Sequence, residues 1–89
     1  MVWLDAIVEK LAVKHGVEVE EVEQIFNNTP RFRFVESGHH EGEDVYLASG
    51  QTDGGRYLSV LFIYKDNGDA LILSARTMSG WERKRYERK

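Results

Sequence analysis

Residues 56–78, RYLSVLFIYKDNGDALILSARTM, decide the fold class of this chain. The stretch contains two apolar runs, 56–65 and 70–78, on either side of Asp66-Asn67-Gly68-Asp69. An Asn-Gly pair between apolar runs is a strong hairpin signal, because both residues tolerate the left-handed backbone of a tight turn. The continuous apolar segment 60–64 indicates a central position in a sheet. We therefore predict two neighbouring antiparallel strands, of which the first is central.

Two further strands are predicted on the N-terminal side of this hairpin. Asp53-Gly54-Gly55 is a second hairpin turn, and it joins strand 56–65 to residues 45–49, whose side chains alternate as in a strand. Residues 31–35 alternate arginine with apolar side chains, which indicates an edge strand. Because the links between successive strands are short, the four strands are expected to form an antiparallel meander.

Helical spacing of apolar side chains predicts two helices ahead of the sheet. Residues 4–14 have the first pattern, and Gly16 is expected to end that helix with a positive φ. Residues 18–26 have the second pattern, with glutamates concentrated near the start. Ser79-Gly80-Trp81-Glu82 has the spacing of a capping box and predicts a short C-terminal helix. The chain is therefore predicted to be a single α+β domain over residues 1–89, with helices packed on one face of a four-stranded antiparallel sheet.

Composition limits the class of protein. The chain has no cysteine, which excludes disulfides, thiolate metal sites and a cysteine nucleophile. No apolar run is long enough to span a bilayer and no signal-peptide pattern begins the chain, so we expect a cytoplasmic protein without membrane contact. Residues 1–45 contain ten acidic and four Lys or Arg side chains, a net charge of −6, whereas residues 46–89 contain five and eight, a net charge of +3. This asymmetry permits an anionic partner at the basic C-terminal end.

A set of short motifs follows one another along the chain, namely Lys14-His15-Gly16-Val17, Gly42-Glu43, Gly55-Arg56-Tyr57-Leu58, Ser74-Ala75-Arg76, Glu82-Arg83 and Tyr86. In this order and spacing, these motifs together resemble the BrnT family of bacterial type II toxins. The resemblance implies a RelE-like fold, ribonuclease activity without a cofactor, RNA as a substrate and a neutralising antitoxin protein encoded beside the toxin.

Metal-free cleavage of RNA needs a base, an acid and cations that stabilise the phosphate. With the family resemblance, Arg76 and Arg56 are the candidates that would hold the phosphate, and Glu43 or Tyr86 would transfer protons. The alternative roles are a solvated residue after the turn for Arg56, an ion pair with an arginine for Glu43, and an anchor of the C-terminal helix on the sheet for Tyr86. The candidates for steering RNA are Lys14, Arg83 and Lys84.

Arg76 is the strongest of these candidates, because it lies near the end of a strand otherwise rich in apolar residues. Strand alternation puts it on a face with Ile72 and Ser74, turned away from the N-terminal helices or lying beneath the C-terminal helix. The alternative role for Arg76 is an ion pair with Glu82 or Glu43.

Two other features of the sequence bear on its chemistry. His39-His40 with Glu41 and Glu43 could suggest a metal site, but adjacent histidines rarely bind one ion well, so no metal is predicted. Val45 and Gln51 stand where the resembled family often has arginine, which removes positive charge from the sheet. The alternative function is therefore a non-catalytic protein-interaction module or inactive toxin homologue.

Overall fold

A computed structural model describes residues 1–38 and 42–88. The chain folds as an α+β domain, with three α-helices and a four-stranded antiparallel sheet in the order β1-β2-β3-β4. This confirms the predicted class and the meander of four strands. The elements are α1 (Asp5–Lys10), a π-helical turn (Leu11–His15), α2 (Val19–Asn27), β1 (Arg31–Glu36), β2 (Val45–Gln51), β3 (Tyr57–Tyr64), β4 (Ala70–Thr77) and α3 (Gly80–Glu87).

The first helix changes its winding before it ends. The predicted helix 4–14 is instead a six-residue α1 followed by the π-helical turn, in which the Gly16 amide donates to the Leu11 carbonyl. Gly16 has a φ of 61°, as predicted for the end of this helix, and the next amide, from Val17, also donates to Leu11 at 3.0 Å. Leu11, at the start of the π-helical turn, and Val17, just after its end, are both buried in the core.

The hydrophobic core lies between the helical layer of α1, the π-helical turn and α2 and one face of the sheet, called here the inner face. Gly50 allows α2 to approach β2 closely, because a Cβ at that position would lie 3.0 Å from Ile25. The buried apolar side chains of this core are Leu11, Val17, Val22, Ile25, Ala48, Leu58, Val60, Phe62, Ile72 and Ala75. Burial of these side chains is the main contribution that holds the two layers together.

Strand β4 contains an irregularity that decides which way its side chains point. Phe62 pairs with Ile72 and Leu61 pairs with Ser74, so Leu73 is an extra residue without a partner on β3. Such a bulge shifts the alternation by one residue. Ile72 is therefore buried on the inner face, and the predicted grouping of Ile72 with Arg76 is wrong. Arg76 does lie on the opposite, outer face, as predicted, and it shares that face with Ser74.

The prediction that all helices pack on one face of the sheet is wrong for the last helix. Helix α3 lies over the outer face, where the rings of Tyr86 and Tyr57 are 6.0 Å apart in an edge-to-face arrangement. Among the described residues, no helix is both long and apolar enough to cross a membrane.

Candidate nucleic-acid interface

The start of α3 is fixed by the capping box that the sequence predicts. The Ser79 hydroxyl accepts a hydrogen bond from the Glu82 amide at 3.2 Å, and the Ser79 amide donates to Glu82 Oε1 at 2.9 Å. Ser79 follows β4 after one intervening residue, Met78, whose amide donates to the Tyr57 carbonyl at 3.0 Å. The direction in which α3 leaves the sheet is therefore determined close to Arg76.

Arg76 and Glu82 form a two-pronged ion pair between β4 and α3. Arg76 Nη1 donates to Glu82 Oε1, and Nη2 donates to Oε2 at 2.8 Å. The Ser59 hydroxyl, on the neighbouring strand β3, donates to the same Oε2 at 3.4 Å. The side chain of Glu82 is 16% exposed and that of Arg76 is 49% exposed. Of the two carboxylates considered as partners of Arg76, Glu82 is the one in contact.

The ion pair shifts the pKa values of both groups. The hydrogen bonds from Arg76, helped by those from the Ser79 amide and hydroxyl, outweigh burial and lower the pKa of Glu82 from 4.5 to about 2. The same contact raises the pKa of Arg76 above its ordinary value. Glu82 is therefore a carboxylate and Arg76 a cation throughout the physiological pH range.

A cleft of about 590 Å³ separates α3 from the outer face of β1 and β2. Five of its lining side chains are cationic and one, Glu82, is anionic. A concave surface with this excess of positive charge attracts polyanions even though the whole chain has a net charge of −3. The lining residues are Arg31, Phe32, Arg33, Leu47, Ser49, Trp81, Glu82, Lys84, Arg85, Tyr86 and Arg88.

Aromatic rings and guanidinium groups lie close together along α3. The Cζ atom of Arg31 is 5.7 Å from the centroid of the Tyr86 ring, and that of Arg85 is 5.5 Å from the centroid of the Trp81 ring. Trp81 is largely exposed, so one large ring at this cleft has little contact with the rest of the protein. Exposed rings beside cations are the surface that single-stranded nucleic acids use, because every base has a stacking face.

The structure brings some of the predicted site residues together on this side of the sheet. Tyr86, Arg83 and Lys84 all lie on α3, and Arg76 is joined to that helix through Glu82. Tyr86 and Lys84 line the cleft, whereas Arg76 is not one of its lining residues and is connected to it through Glu82, which is. Arg83 lies beside it, with its Cζ atom 4.2 Å from the centroid of the Tyr57 ring and its Nε donating to Glu87 at 3.2 Å.

Arg56 lies on the other side of the molecule, against the π-helical turn. Its guanidinium donates to the carbonyl oxygens of Gly16 and His15 at 2.7 and 3.1 Å, to Glu21 Oε1 at 3.1 Å and to Thr77 Oγ1 at 3.0 Å. These contacts satisfy carbonyl groups that the end of the helical segment leaves unpaired.

Two more predicted residues are remote from the cleft. Lys14 is exposed on the π-helical turn, in the helical layer that covers the inner face. Glu43 precedes β2 and is six residues from Ser49, the residue level with Ser59 and Arg76 across the sheet. Val45, where β2 begins, is four residues from Ser49, or roughly 13 Å at about 3.3 Å per residue, and Glu43 precedes Val45 by two residues.

Five residues that line the cleft were not predicted from the sequence as site residues, namely Arg31, Arg33, Trp81, Arg85 and Arg88. The alternation of residues 31–35 carried part of the signal, because it puts both arginines of β1 on one face. His39, His40 and Glu41, considered for a metal, lie outside the described residues. In residues 1–38 and 42–88, no group of three or more His, Cys, Asp or Glu side chains is arranged to hold a metal ion.

Comparison with known proteins identifies the family. No curated protein matches this chain. A protein-family model described as the ribonuclease toxin BrnT of a type II toxin–antitoxin system matches residues 3–82. The match includes the core, the sheet, Arg76 and Glu82, and it covers most of the 89 residues. The chain therefore belongs to the BrnT family of type II toxin–antitoxin ribonuclease toxins.

Proposed function

We propose that this protein is an endoribonuclease that cleaves RNA without a metal ion in the cleft beneath α3. It would act in the cytoplasm and be neutralised by its cognate antitoxin. The single observation that supports this proposal best is the cleft itself, which combines five cationic side chains with the rings of Trp81 and Tyr86. Cations attract the RNA backbone and rings stack on its bases, so this lining suits a single-stranded RNA substrate.

The reaction would be an attack of a ribose 2′-oxygen on the neighbouring phosphorus. The bond from phosphorus to the 5′-oxygen breaks, which leaves a 2′,3′-cyclic phosphate on one product and a 5′-hydroxyl on the other. A base must take the proton of the 2′-hydroxyl, and an acid must give a proton to the leaving 5′-oxygen. Arg76, whose planar guanidinium matches two phosphate oxygens, would stabilise the charge that develops on the phosphate.

Glu82 and Tyr86 are the proposed proton-transfer groups at this cleft. A carboxylate with a pKa of about 2 is a weak base, but the leading cause of that low pKa is the hydrogen bonding from Arg76. A phosphate that takes over the guanidinium would remove this cause, so the proton affinity of Glu82 would rise when substrate binds. The Tyr86 phenol would then protonate the leaving oxygen.

The remaining predicted residues divide into two groups. Lys84, at the cleft, and Arg83, beside it, are proposed to steer RNA. The roles in RNA binding or cleavage that the sequence suggests for Arg56, Glu43 and Lys14 stay predictions, and the positions of these residues favour other roles. Arg56 is hydrogen-bonded to the end of the π-helical turn, Lys14 is exposed in the same helical layer, and Glu43 is remote from Arg76.

The test compares Arg76→Lys with the wild type, using purified protein, a fluorescent single-stranded RNA and EDTA in every reaction. Lysine keeps the positive charge but cannot make the two-pronged phosphate contact, so we expect cleavage to fall by about 100-fold or more. Lys10→Ala, which removes an exposed charge on α1, is the matched control and should cleave at the wild-type rate. Unimpaired cleavage by folded Arg76→Lys would contradict the proposed role of Arg76.

The second candidate function is a non-catalytic toxin homologue that only binds its partner. One observation favours it: the guanidinium of Arg76 is already paired with Glu82. Val45 and Gln51, on the outer face of β2, also add no positive charge there. Under this alternative, folded wild-type protein leaves RNA intact at low salt, both in the tube and when expressed in a bacterial host, and still binds its antitoxin.

A further inference from the structure

Strand β1 is an edge of the sheet that the described part of the chain leaves uncovered. The opposite edge, β4, is partly covered by the N-terminal segment, since Val2 donates to the Ala70 carbonyl at 2.7 Å and accepts from the Ile72 amide at 3.2 Å. Among the described residues, β1 makes backbone hydrogen bonds of this kind to β2 alone. All six of its residues are exposed. Unpaired backbone groups along an exposed edge are a template for another strand.

The two faces of β1 differ in chemistry. On the inner face, Phe32 and Phe34 are 58% and 51% exposed, although each touches an aromatic neighbour nearer the core. The Phe32 ring is 5.9 Å from that of Phe62, and the Phe34 ring is 5.6 Å from that of Tyr46. The Phe26 ring of α2 is 6.1 Å from the Phe32 ring, yet both phenylalanines of β1 stay more than half exposed. On the outer face, Arg31 and Arg33 line the cationic cleft.

We propose that β1 is the docking edge for an extended segment of the cognate antitoxin, which would join the sheet as a fifth strand. The segment would alternate apolar side chains, packed on Phe32 and Phe34, with Asp or Glu side chains that pair with Arg31 and Arg33. Backbone hydrogen bonds would supply affinity and the alternating side chains would supply specificity. The inference rests on the antitoxin partner of the proposed function and is independent of whether this chain cleaves RNA.

Charge favours this occupant over a second copy of the same chain. Two copies of β1 that pair antiparallel about Phe32 put Arg31 opposite Arg33, and pairing about Arg33 puts that residue opposite its own copy. Pairing about Phe34 avoids these contacts but leaves both arginines opposite uncharged side chains. Like charges directly opposite each other are destabilising, whereas an acidic strand satisfies both arginines. Because the same arginines line the cleft, an antitoxin strand at β1 would also neutralise charge that RNA needs.

The test uses the purified chain and the purified protein encoded by the adjacent gene. Hydrogen–deuterium exchange should show the amides of residues 31–36 becoming protected in the complex. Arg33→Glu and Phe34→Ser should each weaken binding by about tenfold or more, measured by calorimetry. Val13→Ser, at an apolar side chain that is 77% exposed on the π-helical turn, is the control and should bind like the wild type. Circular dichroism melts check that each variant folds.

Several results would overturn the proposal. One is protection that appears only outside residues 31–36, and another is wild-type affinity in both β1 variants. A third is the absence of any complex with the adjacent gene's product. A wild-type chain that sediments as a dimer, and that Phe34→Ser converts to a monomer, would identify a second copy as the occupant instead. A Phe34→Ser variant that loses affinity for RNA while keeping affinity for the antitoxin would assign the edge to RNA. Because no arm of the binding test measures cleavage, an inactive but antitoxin-binding chain would still support the inference.

Discussion

Glu82→Gln tests whether the ion pair with Arg76 holds α3 on the sheet. Glutamine keeps the shape of the side chain and an acceptor oxygen for the Ser79 amide, so the substitution removes mainly the charge. The pKa of Glu82 in the folded protein is about 2, against an ordinary value of 4.5. At about 1.4 kcal/mol per pKa unit, this difference corresponds to at most about 3.5 kcal/mol of folding free energy. Arg76 is half exposed, and solvent screening reduces the expected loss to about 1–2 kcal/mol.

The sign of the pH dependence follows from the lowered pKa. A carboxylate whose pKa is depressed by folding stabilises the protein fully above its unfolded value of 4.5, and this contribution disappears as the pH falls towards 2. The wild type should therefore be more stable than Glu82→Gln at pH 7, and the gap should close between pH 4.5 and pH 2. Urea unfolding of both proteins at pH 7, 5, 4 and 3 measures this gap directly.

The matched control is Glu87→Gln on the same helix. Glu87 pairs with Arg83 at 3.2 Å, but both side chains are about half exposed, so its loss should change stability by less than about 0.5 kcal/mol. A gap between wild type and Glu82→Gln that stays constant from pH 7 to pH 3 would refute the electrostatic argument. Equal stabilities at pH 7 would show that the pair does not hold α3.

Two further predictions concern the helical layer. Arg56→Ala should lower the free energy of unfolding by about 2 kcal/mol, measured by urea denaturation, because it leaves the carbonyl groups of Gly16 and His15 and the Glu21 carboxylate without their donor. An unchanged stability together with lost RNA cleavage would instead support the predicted phosphate-binding role of Arg56. Gly16→Ala should cost about 1 kcal/mol in the same assay, since its φ of 61° strains any residue with a Cβ while no atom lies within 4 Å to clash. A stability equal to that of the wild type would contradict this strain argument.

Local signals explain why much of the fold can be predicted from this sequence. The turn at Asp66-Asn67-Gly68-Asp69, the positive φ of Gly16 and the capping box of Ser79 with Glu82 depend on residues within a few positions of each other. The apolar run in β3 similarly reflects local burial, and the period of two in β1 puts its arginines and its phenylalanines on opposite faces. The structure has these features as predicted because interactions between neighbouring residues determine them.

Three other features, the π-helical turn, the bulge in β4 and the cleft of the candidate site, depend on tertiary contacts. The π-helical turn places Leu11 and Val17 in the core together, and its end is held by Arg56 from a distant strand. The bulge at Leu73 arises from the pairing of β4 with β3, and a strict period of two cannot reveal it. The cleft exists because α3 lies over the outer face. The sequence of that helix contains few apolar residues, so it does not predict which face of the sheet the helix covers.

By itself, the sequence determined the α+β class, the order of the four strands, the capped start of α3 and the family resemblance that the match over residues 3–82 confirms. Only the tertiary structure decided that Arg76 pairs with Glu82, that Arg56 and Arg76 lie on opposite faces of the sheet, and that Arg31 and Arg33 join α3 around one cleft. The physical reason is how far apart along the chain the interacting residues are. Turns, caps and periodicity are set by interactions between neighbours, whereas ion pairs and clefts need residues brought together by packing of separate elements.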